Sequence, residues 1–304
     1  MIIIDIIKNI KRAFVFGIGG GGDIVSTIPV ANFLKKFNVD VFYGSILWDR
    51  LVVDPKPGPR SLDELLNLER VEETLAFVNE NTRTVDGIVP NVARASKVLK
   101  KVVALDITKG SRKLAKDISS FMEKEKIEIA LGVDAGGDAI ATCYESGVKS
   151  PLADALSVAT LKELNGVVAI FGFGSDGELK SEELLMNISE LIKRRGLLGC
   201  VGMSYEDYEE MKKLANSVVT EASFLPLLAF EGFFGFKKLR RGRTTFISPI
   251  SILTFYFKAS SVFEINEAAK IVSEAKDIEE ANSLLHKAGI LTELDLERAL
   301  SGFI

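Results

Sequence analysis

The 304-residue chain contains no glutamine and a single histidine, His286, near its C-terminus. One imidazole excludes a multi-histidine metal site and argues against a Ser-His-Asp triad built on an N-terminal loop. The two cysteines, Cys143 and Cys200, lie far apart and outside any metal-ligand spacing. Neither zinc nor haem is therefore expected, a disulfide framework is not supported, and a reducing compartment is. A long apolar span is also missing. The most apolar stretch, 222–236, is interrupted by Glu231 and is too short to cross a bilayer. The opening MIIIDIIKNIKR is short, carries Asp5 and lacks the basic-then-apolar order of a signal peptide. There is no basic surplus: net charge is −4 and the pI about 5.4. The expectation is a cytoplasmic, soluble protein with no nucleic-acid and no membrane partner. Absent glutamine beside abundant Lys and Glu points toward a thermophilic source. Chemistry is left to carboxylates, hydroxyls, Lys, Arg, Tyr, backbone amides, or a hard metal held by oxygen.

What is present is an alternation of short β-branched runs and amphipathic segments. Strands are expected at 13–16, 39–43, 102–105, 127–133, 167–171 and 197–201, with helices at 24–36, 92–100, 111–124, 151–164, 182–195 and 205–217. The alternation predicts an α/β fold, a doubly wound and mostly parallel sheet covered on both faces. An excursion at about 44–90 breaks the rhythm. It holds DPKPGPR, then a capping box at Ser61 and Glu64, then a hairpin expected across Glu80-Asn81. Beyond Phe236, KKLRRGRTTFIS predicts an antiparallel pair turning near Gly242, followed by short helices at 266–275, 278–288 and 294–300. The division expected is an α/β core over 1–235 and a small, mainly helical C-terminal subdomain over 236–304, packed on it.

Glycines and acids recur where these strands end, which is where open parallel sheets bind ligands. The first strand is followed by GIGGGGD, with Gly19, Gly20, Gly21, Gly22 and Asp23. Four consecutive glycines suit backbone contact with a phosphate or carboxylate. Gly17, Gly19 and Gly22 formally match a dinucleotide fingerprint. The expected second strand ends in Tyr43-Gly44 with no ribose-binding acid, and Pro29 would strain the following helix, so NAD is not favoured. The alternative is a tight turn with Asp23 as helix cap. Asp106 follows the strand at 102–105. Beyond 127–133 comes DAGGD, in which Asp134 and Asp138 flank Gly136 and Gly137, with Glu145 further on. Ser150-Pro151 then opens a helix, and Asp154 stands one residue past the capping-box position. Crowded carboxylates need a proton or a cation between them. Mg²⁺ suits such a site, taking one or two carboxylates plus substrate phosphates. Asp134, Asp138 and Asp23 are the expected ligands, with Asp134, Asp138 and Glu145 as candidate catalytic groups. The alternative is that these acids cap helices and face water.

Ser175 and Asp176 lie in GFGSDGE, where an ordinary polar turn competes with a binding role. Arg50, Lys56 and Arg60 of the excursion could close over an anion. Arg240, Arg241 and Arg243 are read as a solvated strand face, His286 and the cysteines as structural. Phe230, Phe233, Phe234 and Phe236 are read as core or as a contact between identical subunits.

The GGGGD run ending at Asp23, the DAGGD of 134–138 with Glu145, and the SPLADA of 150–155 resemble an archaeal and bacterial family known only as a domain of unknown function, number 1152. The resemblance implies a Rossmann-like α/β fold and carries no reaction. The residues themselves predict a small-molecule enzyme acting on a phosphorylated or nucleotide-like substrate with Mg²⁺, by phosphoryl transfer or hydrolysis. No Walker pattern is present. The alternatives are a non-catalytic nucleotide- or metabolite-binding module and, less favoured, an NAD-dependent oxidoreductase.

Overall fold

The computed structural model describes residues 2–302. In chain order the strands are β1 (Arg12–Gly17), β2 (Asp40–Ile46), β3 (Leu65–Arg70), β4 (Leu75–Thr84), β5 (Val102–Leu105), β6 (Ile129–Ala135), β7 (Val167–Phe171), β8 (Leu197–Gly202), β9 (Gly235–Lys238), β10 (Thr244–Ile247) and β11 (Leu253–Lys258). The helices are α1 (Ile3–Ile7), α2 (Thr27–Lys35), α3 (Asn91–Ala95), α4 (Gly110–Glu125), α5 (Pro151–Glu163), α6 (Ser181–Lys193), α7 (Tyr205–Ala215), α8 (Leu225–Phe230), α9 (Ala259–Ile265), α10 (Glu267–Val272), α11 (Ile278–Lys287) and α12 (Glu293–Ser301).

Nine strands form one sheet in the order β3-β4-β5-β2-β1-β6-β7-β11-β8. The five central strands, β5 to β7, pair in parallel. They are the buried part, and β1 shows why. Phe14 and Phe16 point to one face, where α4, α5, α6 and the C-terminal helices cover them. Ala13 and Val15 point to the other, under α1, α2, α3, α7 and α8. Burial on both faces requires continuous apolar strands, which is what the sequence supplies. The fold is the expected Rossmann-like α/β arrangement. From β1 the chain moves toward β2 and β5; from β6 it moves the other way, to β7. The strand order therefore reverses between β1 and β6, and the loops leaving their carboxyl ends lie side by side at the switch point.

Two local expectations are corrected, and one strand was not foreseen. No hairpin forms at Glu80-Asn81: β4 runs through, antiparallel to β3, and absorbs the extra residues as a register shift opposite Leu66 and Leu68. Asn67 takes a left-handed conformation there, and its carbonyl accepts the Thr82 hydroxyl at 2.6 Å. Pro29 does not strain its helix. A 3₁₀ turn over Gly21–Ser26 delays α2 to Thr27, which puts Pro29 in the first turn, where amides lack intrahelical partners. The segment 253–258 is the strand β11, antiparallel between β7 and β8. Residues 236–302 give the main sheet one strand and its α5 face four helices. The Ser61–Glu64 capping box and the turn at Gly242 are both present.

Candidate carboxylate centre

The glycine run is set by the protein's own atoms. A side chain at Gly19 would place its first carbon 2.8 Å from Asp23 Oδ2 and 3.2 Å from Asp154 Oδ2. At Gly21 it would stand 2.2 Å from Asp49 Oδ1, and at Gly22 it would meet Thr220 and Val219. Gly20 alone has room, with its nearest neighbour, the Trp48 carbonyl, at 3.6 Å. The amides are largely used as well. Gly19 N–H donates to Asp23 Oδ2 at 2.8 Å and Gly21 N–H to the Trp48 carbonyl at 2.9 Å. Asp23 is therefore no helix cap; it folds back and closes its own loop. The second strand runs to Ile46, three residues beyond the expected end, so an acid does follow it at Asp49. That carboxylate accepts the Asn91 N–H and packs against Gly21.

Opposite this loop, β6 carries the chain to Asp134. Gly136 and Gly137 then turn sharply with φ of 131° and 127°, which glycine tolerates. The turn brings Asp138 back beside Asp134, whose Oδ2 accepts the Ala139 N–H at 3.1 Å. Asp154 projects from the first turns of α5. One oxygen from each of Asp134, Asp138 and Asp154 lies within 4.8 Å of the others, and all three side chains are buried. Asp176 joins from the loop after β7. Its carboxylate lies against Gly136 so closely that a side-chain carbon there would be 2.1 Å from Oδ2. That loop is tied to the DAGGD turn by the Gly174 N–H, which donates to the Gly136 carbonyl at 2.7 Å.

The family described as a protein of unknown function (DUF1152) matches residues 14–301, a span that holds every one of these acids. The chain belongs to that family. No curated protein matches it.

Donors are scarce at this centre. Both Asp154 oxygens are buried without a hydrogen-bond partner, as are Asp176 Oδ2 and the Ser175 hydroxyl. Burial is the main reason the carboxyls shift. It pushes Asp23 up to about 7 and, with help from Glu178, Asp176 to about 7. Asp134, Asp138 and Asp154 are raised well above the ordinary range, first by burial and then by neighbouring carboxylates: Asp176 and Asp23 act on Asp134, Asp154 and Asp134 on Asp138, and Asp134 and Asp23 on Asp154. Three further buried acids border the group. Glu178 accepts the Lys149 and Ser150 amides and Arg243 Nη1. Glu293, from the start of α12, accepts the Leu152 and Ala153 amides that open α5. Glu297 accepts Trp48 Nε1 and the Gly58 amide through one oxygen. Among the described residues, two guanidiniums face these eight acids. Arg243 is paired with Glu178 at 3.0 Å. Arg50 donates to the Gly19 carbonyl at 3.0 Å and stands 3.5 Å from Glu297.

Of the residues singled out from sequence, Gly19, Asp23, Gly136, Asp134 and Asp138 meet here. Asp106 does not share their situation: it accepts the Leu62 and Thr108 amides and fastens the excursion to β5. Glu145 is likewise committed to the Thr142 amide and Asn187. Burial would raise its carboxyl, but those donors outweigh burial and hold it below the usual range. Arg60 is held by Asp54, Glu64 and Asp86, and Lys56 by Glu64, so only Arg50 of the three reaches the glycine loop. Two members were underweighted from sequence. Asp154 had a signal, a helix-opening acid off the capping position. Asp176 had a weaker one, an acid in a Gly-Ser-Asp-Gly turn. Glu293 and Glu297 had none. None of the five aspartates, each at most 9% exposed, lines the pocket of about 510 Å³ beside α6 or the one of about 330 Å³ between 143–149 and 289–296.

Proposed function

We propose that the protein is an enzyme of small phosphorylated or nucleotide-like molecules that uses Mg²⁺ held by Asp134, Asp138 and Asp154, with Asp23 and Asp176 alongside. The observation that carries this reading is Asp154. It is a buried carboxylate with two unpartnered oxygens, aimed at two other carboxylates within 4.8 Å. A cap would have an amide, and a solvated acid would have water-exposed oxygens. An oxygen-preferring divalent ion satisfies all three acids and leaves coordination positions for phosphate oxygens or a water. Such an ion supplies charge stabilisation and an activated water. The chain's own part is to hold the ligand oxygens still. Glu293 fixes α5 and hence Asp154, while the Gly136-Gly137 turn fixes Asp134 against Asp138.

The alternative of a non-catalytic metabolite-binding module draws support from the closure of the centre, since the five aspartates are at most 9% exposed. An NAD enzyme draws none, because the loop's Gly19 and Gly21 amides and the space at Gly21 are already taken. Binding of Mn²⁺ as a spectroscopic stand-in, with wild type and Asp154→Asn, tests the metal. Phosphate release from a panel of nucleotides and sugar phosphates, with Mg²⁺ and with chelator, tests catalysis. Mn²⁺ binding that survives Asp154→Asn would sink the metal assignment. Metal binding without turnover on any phosphorylated compound would favour the binding module.

A further inference from the structure

The segment 232–263 carries six cations, Lys237, Lys238, Arg240, Arg241, Arg243 and Lys258, and no acid, in a chain whose net charge is −4. Its first half is the β9–β10 hairpin. A two-stranded hairpin is marginal in water unless one face is packed. Here Leu239 and Ile247 are buried with Leu225, Leu228 and Ala229, and the Thr245 hydroxyl donates to the Gly174 carbonyl. The other face has no cover. Phe234 is 68% exposed and Phe236 75%, each with its ring centre 5.0 Å from that of Phe246. Phe236 and Lys238 fall on this outer face by the period of the strand. Among the described residues, the exposed side chains of Lys237, Lys238 and Arg240 make no ion pair. Among the described residues, two acids reach the turn: Glu221 accepts the Arg240 N–H and Glu178 pairs with Arg243.

We propose that this hairpin docks on an anionic phospholipid surface, with Phe234 and Phe236 entering the interface and Lys238 and Arg240 meeting the headgroups. Exposed aromatics beside unpaired cations match both layers of such a surface, the acyl boundary and the phosphate plane. Docking at the surface requires no spanning segment, and no helix among the described residues is long and apolar enough to cross a membrane. Two other occupants fit less well. A second copy joined across a two-fold axis would set these cations against their own images. A single-stranded nucleic acid needs open ring faces for stacking. Phe234 and Phe236 instead both pack on Phe246, at interplanar angles of 80° and 58°, so the three rings form one cluster rather than a row of separate stacking platforms.

The test is co-sedimentation of the full chain with vesicles of phosphatidylcholine alone and with a third of phosphatidylglycerol, at low and high salt. Binding is expected to the anionic vesicles only and to fall with salt. Lys238→Gln and Arg240→Gln should each weaken partition by about fivefold. Phe234→Ser with Phe236→Ser should weaken it by about tenfold or more, since the apolar anchor is lost. Those two rings are exposed, so the melting temperature of the double variant should match wild type and serves as the folding control. Equal binding to both vesicle types, none to anionic vesicles at low salt, or binding indifferent to the phenylalanines would overturn the proposal. So would an oligomer that the Phe variant dissolves into monomers, or RNA that displaces the vesicles.

Discussion

Asp154→Asn separates a metal centre from a set of helix caps. The change keeps the shape and removes one charge. No protein hydrogen bond is lost, because neither Asp154 oxygen has a partner. The new amide can donate to Asp134 or Asp138, whose oxygens lie within 4.8 Å. At that separation, in an effective dielectric of about 20, two like charges repel by about 3 kcal/mol. In chelator at about pH 8, where the acids are under most pressure to ionise, the variant should melt higher than wild type, by up to about 3 kcal/mol of stability. At about pH 5 protons already relieve the repulsion, and the gain should shrink toward zero. With Mg²⁺ the order should reverse. A ligand at a hundredfold its Kd stabilises by about 2.7 kcal/mol, and the variant has lost a ligand oxygen and should gain little. The assay is a set of thermal or denaturant melts of the two proteins, each with Mg²⁺ and with chelator. The signature is the crossing. A variant destabilised by the same amount in both conditions would refute the reasoning and return Asp154 to a purely structural role.

The metal-free protein should itself lose stability as pH rises. Asp23 and Asp176 shift from 3.8 to about 7, and Glu293 from 4.5 to about 7, chiefly through burial. Folding therefore retains protons that the unfolded chain has released. Stability is full below about pH 4 as far as these groups go and declines up to about pH 7, by at most about 4 kcal/mol for a three-unit shift. A chelator-treated protein that melts higher at about pH 8 than at about pH 5 would contradict these raised values. Gly21→Ala should cost about 1–3 kcal/mol, because the new methyl meets Asp49, while Gly20→Ala should fold normally; equal melts for the two would show the run is not set by internal packing. Glu293→Ala leaves two buried amides of α5 without acceptors and should cost at least about 2 kcal/mol with or without Mg²⁺, which a denaturation midpoint reads directly.

The sheet was legible because its core strands are short, β-branched and apolar throughout, and nothing but burial on both faces accounts for that. β11 was missed although Leu-Thr-Phe-Tyr-Phe has strong strand propensity. Its place between β7 and β8 is reached only after a long detour through the β9–β10 hairpin, and local pattern says nothing of distant pairing. The hairpin expected at Glu80-Asn81 failed for a related reason: turn residues were seen, but their partner strand, β3, was hidden in a segment read as an excursion. At the site, Asp134 and Asp138 stood out because they flank a glycine pair at a strand end. Glu145 and Asp106 looked similar in sequence, but the fold gives each at least two donors, whereas both oxygens of Asp154 and one of Asp176 are left without any. Which acid finds donors is a fact of three dimensions that local sequence does not carry.

One such allocation decides the chemistry of the centre. A helix N-terminus offers free amides and a positive dipole end, and Asp138 and Asp154 both lie near the start of α5. Had those amides turned to them, the acids would have been caps. Glu293, about 140 residues further along the chain by the spacing of its hydrogen bonds, takes the Leu152 and Ala153 amides instead. The Ser150 hydroxyl donates to Glu178 and Asp138 and accepts no helix amide. The helix is thus capped from outside, and the field of its N-terminus is partly cancelled by the capping carboxylate. Asp134 keeps the Ala139 amide and Asp138 the Ser150 hydroxyl, but Asp154 is left with no donor, and Arg50, 3.5 Å from Glu297, is a cation beside the group. A protein could relieve that crowding with protons alone, but it would then need no shared focus for three oxygens. On the metal reading proposed above, one cation would serve all three oxygens, which lie within 4.8 Å of one another.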